Sequence, residues 1–172
     1  TLREIEVAED LLKVSYTDLS KRRLSEETCK LWGYGISTHY GETVQVAQYR
    51  SPAGKIVAQK LRKSDKSFQW VGHKDHGTSL FGQHLWAPHP RKKLVITEGE
   101  LDALSVSQAQ DNKWPVVSVP DGASSALKAI LKALDYVSGF SEVILMFDQD
   151  APGQEAALQV AMALPPGLVK IA

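Results

Sequence analysis

Carboxylate side chains follow two short apolar runs of the sequence, and their type and spacing suit metal chemistry. Glu98 comes directly after the run at 94–97, and Asp148 and Asp150 follow the run at 143–147. Residues two apart in an extended segment point to the same side, so both aspartates can address one cation. Two like charges placed together without a cation cost repulsion and desolvation. Because oxygen ligands suit hard divalent cations, the pattern favours a metal site.

Two further acids stand in the turn that follows Glu98. Gly99 permits a tight strand-to-helix turn, and Glu100 and Asp102 fall in the opening of the next helix. Acidic residues are also favoured at helix N-termini by capping and by the helix dipole. For Asp102, a role at the site and an ordinary role at a helix terminus both stay open.

The elements that must position these acids alternate between strand and helix. Apolar runs and helical-period stretches follow one another at 94–97, 101–110, 115–119, 124–134, 143–147 and 153–164, before a final apolar run at 168–172. Such alternation predicts a parallel sheet with flanking helices. In these sheets the functional crevice lies beyond the carboxyl ends of the strands. We therefore expect the two acidic loops to meet at one edge of the sheet.

The loop at 120–124 ends the middle strand and is expected to reach the same crevice. Its residues Gly122 and Ser124 stand at the start of a helix, where backbone amides can receive a phosphate. An ordinary turn and helix cap explain the same residues equally well. The loop is a candidate nucleotide-binding element.

The first half of the chain follows a different pattern. Ser25 is a plausible N-cap for a helix that runs to Trp32 and ends at Gly33. Alternating residues at 43–49, a Pro-Gly turn at 51–54 and a run at 56–61 predict a β-hairpin, which a strand at 68–71 extends into a small antiparallel sheet. This half is predicted to be α+β, and residues 1–20 to be a linker or an N-terminal extension.

Charge separates the two halves. The chain is neutral overall, yet the formal charge is +6 through Lys93 and −6 from Leu94 onward. Lys60, Arg62 and Lys66 are expected on the antiparallel sheet. This asymmetry indicates a basic surface that meets phosphates and an acidic surface that meets cations, or simply two solvated faces of opposite sign.

Composition excludes several classes of protein. With 43% hydrophobic residues in 172, disorder of the whole chain is not expected. The single Cys29 excludes an intramolecular disulfide framework and a cysteine-rich zinc site, and it fits a reducing cytoplasm. No apolar run approaches eighteen residues, so no membrane span or membrane partner is expected. The opening Thr1 and the apolar end suggest an excised fragment.

Two motifs resemble a known signature. Val-Ile-Thr-Glu-Gly-Glu-Leu-Asp-Ala-Leu-Ser at 95–105 and Ile-Leu-Met-Phe-Asp-Gln-Asp-Ala-Pro-Gly at 144–153 resemble the TOPRIM signature, which recurs in primases, topoisomerases and some nucleases. The segments at 24–33, 46–50, 56–62 and 80–86 resemble the bifunctional primase-helicases of T-odd bacteriophages, relatives of mitochondrial Twinkle. The resemblance covers about residue 16 to the end.

The resemblance implies an α/β fold: a basic α+β subdomain of a primase core at 21–93, and a TOPRIM parallel-sheet domain with flanking helices at 94–172 that is cut short at its C-terminus. It implies that Glu98, Asp148 and Asp150 are catalytic metal ligands, supported by Asp102 and Glu100. The ion would be Mg²⁺, with Mn²⁺ as a substitute. Lys60, Arg62, Lys66, Gly122 and Ser124 would then bind nucleotide or template.

The implied function is that of a DNA primase, which makes short RNA primers from ribonucleoside triphosphates on a single-stranded DNA template by metal-dependent phosphoryl transfer. The family also implies a zinc-binding module and a hexameric helicase in the parent protein or complex, and a cytoplasmic location in a phage-infected or prophage-carrying bacterial host. A TOPRIM-type metal-dependent nuclease and a non-catalytic nucleic-acid-binding fragment stay open as alternatives. Mapping the products made with and without ribonucleotides would separate them.

Overall fold

The first helix of the chain forms where its caps predict. In the computed structural model, which describes residues 11–73 and 79–172, helix α1 spans Glu26–Trp32. The Ser25 side chain accepts a hydrogen bond from the Thr28 amide at 3.2 Å, and Gly33 ends the helix at φ 70°. Cys29 is buried, and this burial is the main cause that raises its pKa to about 11. A 3-10 turn at Ser20–Arg22 precedes the helix.

Four antiparallel strands follow α1 in the first of two compact units, Thr1–Ser79. They are β1 (Tyr34–His39), β2 (Glu42–Arg50), β3 (Ile56–Arg62) and β4 (Phe68–Gly72), and they lie in that order in the sheet. The predicted hairpin and third strand are confirmed. Strand β1 was not predicted.

The chain before α1 packs on this sheet. Gln59 exchanges two hydrogen bonds with the backbone of Leu12, at 2.7 and 2.8 Å, and Ser15 pairs with Ile36 of β1. A Cβ atom on Gly35 would collide with the Ser15 carbonyl, so β1 needs a glycine where the earlier segment crosses it. Residues around Leu12 and Ser15 thus contact the sheet, and the assignment of residues 1–20 as a linker or an N-terminal extension stays a prediction. Residues 1–10 lie outside the described part.

The second unit, Leu80–Ala172, contains a four-stranded parallel sheet in the order β6-β5-β7-β8. Its strands and helices are β5 (Lys93–Thr97), α2 (Glu100–Ala109), β6 (Val116–Ser118), α3 (Ala126–Lys132), α4 (Leu134–Val137), β7 (Glu142–Met146), α5 (Ala151–Ala163) and β8 (Val169–Ile171). The predicted α/β class with a preceding antiparallel subdomain is confirmed.

One predicted helix of this unit is divided. Instead of a single helix at 124–134, the chain forms a 3-10 turn at Ala123–Ser125, then α3, and then the four-residue α4. The break falls at Ala133, whose φ and ψ of −102° and 22° lie outside the helical range. No glycine or proline marks this break in the sequence.

The core of the second unit begins before β5. Leu80 is buried with Leu94 and Ile96 in the main hydrophobic cluster. Phe81 exchanges backbone hydrogen bonds of 2.9 and 3.0 Å with Ser118 at the edge of β6. The division of the chain between Ser79 and Leu80 therefore differs from the predicted boundary at 93/94. Among the described helices, none is both long and apolar enough to cross a membrane.

Candidate functional site

The carboxyl ends of three neighbouring strands define the candidate site in the second unit. The central strand β5 pairs with β7 so that Thr97 lies opposite Met146, and it pairs with β6 so that Thr97 lies opposite Ser118. The next residues of each strand leave the sheet at the same edge. This register places the Glu98 loop, the loop that contains Asp148 and the loop that follows β6 side by side, as expected for a parallel sheet.

Glu98 and Asp148 are in direct contact. The backbone amide of Asp148 donates a hydrogen bond to Glu98 Oε2 at 3.2 Å. Glu98 is half-buried, whereas Asp148 is exposed. The contact aligns the loop after β7 with the loop after β5 and leaves the Asp148 carboxylate at the surface. Two of the three predicted metal ligands are thereby brought together.

Asp150 begins helix α5. Its Oδ1 atom accepts a hydrogen bond from the Gly153 amide at 2.9 Å, so the residue is an N-cap. Gly153 is needed at this point, because a Cβ atom there would collide with the carbonyl oxygen of Asp148. The first turn of α5 thus packs directly on the backbone of Asp148. From the sequence, it was open whether the acids at helix starts cap the helix. In the structure, one carboxylate oxygen of Asp150 caps α5.

Glu100 and Asp102, the two acids that follow Glu98, lie in the first turn of α2. Asp102 is exposed, and its Oδ2 atom lies 2.7 Å from the position that a Cβ atom on Gly99 would occupy. Glu100 is buried, with 7% of its surface exposed. Thr97 Oγ1 donates to the Gly99 carbonyl at 3.0 Å and so fixes the turn between β5 and α2.

The loop after β6 approaches Glu98 through Gly122. A Cβ atom on Gly122 would lie 3.7 Å from Glu98 Oε1, and the residue has φ 70° and ψ −165°. This conformation is open almost only to glycine. Ser124 stands two residues later in the 3-10 turn and is exposed. The structure therefore brings Gly122 to the acidic edge, while the phosphate-binding role of both residues stays a prediction.

The positions of the side chains do not by themselves show which residues would bind a metal ion. Within residues 11–73 and 79–172, no three His, Cys, Asp or Glu side chains come together as a group that could hold a metal ion. The donor types at the edge nevertheless fit a hard cation, since Glu98, Asp148, Asp150 and Asp102 offer only carboxylate oxygens. Their assignment as ligands remains a prediction.

A cleft beside Asp148 contains residues that the sequence did not single out. It lies between α5, the loop after β7 and the end of β8, and it is lined by Phe147, Asp148, Gln149, Gly153, Gln154, Ala157, Leu158, Ile171 and Ala172. Gln149 donates to the Ala172 carbonyl at 3.2 Å, and Gln154 donates to the Gln149 carbonyl at 3.1 Å. The sequence signal for this cleft was Gln149, which stands between Asp148 and Asp150. Because glutamine carries no charge, it was not considered as a site residue.

The predicted basic residues belong to the first unit. Lys60 and Arg62 lie on β3 and point to the same face of the antiparallel sheet, as the period of two requires. Lys66 does not lie on a strand. It occupies the turn between β3 and β4 at φ 68°, and its amide donates to the Lys63 carbonyl at 3.0 Å. The prediction that Lys66 lies on the sheet was wrong, although the turn keeps it next to β4.

Both units match known families. The family model described as Bacteriophage T7 DNA helicase/primase, N-terminal a+b fold, matches residues 15–72, and the model described as Toprim-like matches residues 95–171. The DNA helicase/primase of Enterobacteria phage T3 is 45% identical over 158 residues, which cover 91% of this chain and 27% of that protein. The chain thus spans about a quarter of the length of this curated relative.

Two solved structures resemble the whole chain. The primase fragment of the bacteriophage T7 primase-helicase protein matches with a TM-score of 0.86 and 43% identity, over 96% of this chain and 67% of that one. The primase domain in a complex of bacteriophage T7 lagging-strand DNA polymerase, primase domains, an RNA/DNA hybrid and dTTP matches with the same TM-score and identity, over 94% of this chain and 81% of that one. The resemblance read from the sequence is confirmed, and the chain belongs to the T7-type helicase/primase family, of which it contains the N-terminal α+β fold and the Toprim domain.

Proposed function

We propose that this chain is the primer-synthesising core of a DNA primase, which joins ribonucleotides on a single-stranded DNA template. The observation that supports this most strongly is a single match that extends over both units: 43% identity and a TM-score of 0.86 to a primase fragment over 96% of the chain. The Toprim-like half alone is common to several reactions. The α+β half is what favours primer synthesis over the others.

The proposed chemistry is in-line phosphoryl transfer assisted by divalent cations. Glu98, Asp148 and Asp150, with Asp102 in support, would hold Mg²⁺ or, as a substitute, Mn²⁺. A divalent cation held there would neutralise charge on the triphosphate and assist attack by the 3′ hydroxyl. The hydrogen bond from the Asp148 amide to Glu98 fits this role, because it fixes the distance between two carboxylate-bearing loops before any ion binds.

The other predicted residues would handle phosphates. Lys60, Arg62 and Lys66 of the first unit would neutralise the template backbone or the nucleotide, since cations on one surface attract polyphosphates. Gly122 offers a backbone without a side chain beside Glu98, where a triphosphate could approach closely. Ser124, exposed in the same loop, would contribute a hydroxyl.

We infer the partners of the parent protein from its relatives. The phage T3 relative is named a DNA helicase/primase, so a helicase would accompany this core. The hexameric form of that helicase and a zinc-binding module are what the family resemblance implies. The T7 complex contains primase domains, a lagging-strand polymerase and an RNA/DNA hybrid, which is the product expected of primer synthesis. A cytoplasmic location in a bacterial host would follow from such a replication role.

The test is primer synthesis with a matched control. Labelled ribonucleotides, a single-stranded template and Mg²⁺ should give short RNA products with the wild-type chain, and Asp148→Asn should abolish them. Asp135→Asn removes an exposed carboxylate in α4, outside the predicted site, and should leave the yield unchanged. Cleavage of the template without ribonucleotides, or binding without any product, would refute the proposal and favour a nuclease or a non-catalytic module, respectively.

A further inference from the structure

An aromatic ring stands among the cations of the antiparallel sheet. In the pairing of β3 with β4, Arg62 lies opposite Phe68 and Lys60 lies opposite Trp70. Residues that pair directly across two strands share a face of the sheet. Leu61, between the two cations, points to the other face, where it packs with Val44 and Val46. The four residues thus form one basic and aromatic face, which we call the Phe68 face.

The two aromatic residues of this face differ in how far their rings are exposed. Trp70 packs against the buried Tyr49, with ring centroids 4.8 Å apart, so it forms part of the packed sheet. Phe68 keeps 52% of its surface exposed. Its ring is approached by Lys60 Nζ at 4.5 Å from the centroid and by Arg62 Cζ at 5.6 Å. Phe68 is therefore an exposed ring in contact with two cations.

The turn that leads into β4 adds to the positive charge. Lys63 and Lys66 lie in this turn together with Asp65. The Asp65 carboxylate accepts hydrogen bonds from the Ser67 hydroxyl and amide at 2.6 and 2.8 Å, and these bonds lower its pKa. The hairpin that carries the exposed ring thus has four cations, Lys60 and Arg62 on β3 and Lys63 and Lys66 in the turn, and one anion that is engaged by Ser67. An occupant of this face should be polyanionic and should present flat aromatic groups.

Single-stranded DNA has both properties, and we propose that Phe68 is a stacking platform for one of its unpaired bases. Lys60 and Arg62 form stronger charge-assisted hydrogen bonds with a phosphate than cation–π contacts with an exposed ring. A bound backbone therefore draws the two cations toward phosphate and frees the ring for a base. Because a phenyl ring offers no hydrogen bond, stacking on it tolerates any base sequence.

This inference deepens the proposed function, since it rests on the first unit binding nucleic acid, but it concerns binding and not catalysis. Its test uses two labelled oligonucleotides of equal length, an octathymidylate and an octamer of abasic sites, without metal or nucleotides. Fluorescence anisotropy of the full chain at low salt gives both affinities. The wild-type chain should prefer the octamer that has bases.

The variants separate stacking from charge. Phe68→Leu keeps an apolar side chain without a π-face and should weaken binding of the octathymidylate at least about fivefold, the lower range for one stacked base. Its affinity for the abasic octamer should not change, and Phe68→Trp should keep the wild-type preference. Lys60→Gln should weaken both complexes and lower the salt dependence by about one phosphate contact.

The control is Tyr40→Leu, which removes an aromatic ring that is 93% exposed and lies between β1 and β2. It should bind both octamers like the wild-type chain. Equal affinities of the wild-type chain for the two octamers, or an unchanged preference in Phe68→Leu, would overturn the stacking assignment. Loss of primer synthesis in Asp148→Asn is measured separately, so each proposal can fail without the other.

Discussion

Gly153→Ala should damage the acidic edge without removing any of its acids. The glycine lies in the first turn of α5, and an added Cβ atom would collide with the Asp148 carbonyl oxygen and would lie 3.0 and 3.1 Å from the carbon and nitrogen of the same backbone. These atoms belong to the main chain, so no rotation of a side chain can relieve the contact. Either α5 or the loop that contains Asp148 must move.

Three contributions set the change in the free energy of unfolding: two destabilise the fold and one stabilises it. Inserting a methyl group into a tight contact costs about 1–3 kcal/mol, and alanine in place of glycine within a helix returns about 1 kcal/mol. Movement of the turn also weakens the bond from the Gly153 amide to Asp150, and a lost N-cap costs about 1 kcal/mol. The free energy of unfolding should therefore fall by about 1–3 kcal/mol.

Urea denaturation followed by circular dichroism measures this loss, and primer synthesis measures its consequence at the site. Displacement of catalytic groups by about an ångström can cost up to a hundredfold in rate, so synthesis should fall at least about tenfold. Gly54→Ala is the control: it strains a turn of the first unit at φ 86°, where a Cβ atom meets nothing within 4 Å. It should lower stability without lowering the rate. A Gly153→Ala chain with wild-type stability and activity would refute the reasoning.

Three more outcomes are expected. Asp150→Asn should keep the N-cap and wild-type stability but lose primer synthesis, whereas Asp150→Ala should also lose about 1 kcal/mol in urea denaturation; synthesis by the Asn variant would remove Asp150 from the site. Glu142 contacts Lys170 at 2.8 Å and Lys93 at 3.0 Å, and hydrogen bonds from these lysines, Lys170 first, lower its pKa below the ordinary 4.5. Its contribution to stability is thus complete above pH 4.5 and is lost as the pH falls through the lowered pKa, so the melting temperatures of wild type and Glu142→Gln should differ at pH 7 and converge in acid; a constant difference would contradict this. Cys29, buried and with a pKa of about 11, should react with a thiol reagent at pH 8 only as fast as the chain unfolds, and rapid labelling of the folded chain would show the burial to be wrong.

Local patterns were sufficient for most elements but not for those formed by distant contacts. The hairpin of β2 and β3 and the alternation after residue 93 follow from periodicity and turn residues, which act over a few positions. Strand β1 has no regular alternation of buried and exposed residues. It forms because the segment around Ser15 pairs with Ile36 on one side and β2 on the other. The break at Ala133 likewise has no local signal.

The sequence showed which acids lie at this edge of the sheet, but it did not show how they are arranged there. The topology of a parallel sheet is enough to bring the loops of Glu98 and Asp148 together, because carboxyl ends of neighbouring strands share an edge. The sequence did not indicate that the Asp148 amide donates a hydrogen bond to Glu98, or that one carboxylate oxygen of Asp150 caps the start of α5. Both depend on how loops pack after the strands are in place.

Contacts made by the backbone of Asp148, more than contacts made by its side chain, position this residue. Its amide is held by Glu98 from one side, and its carbonyl lies against Gly153 from the other. Under the proposed function, the exposed carboxylate would adjust to the cation while its main chain stays fixed. On this view Gly153 is as necessary to the site as the acids, although it offers no chemistry of its own.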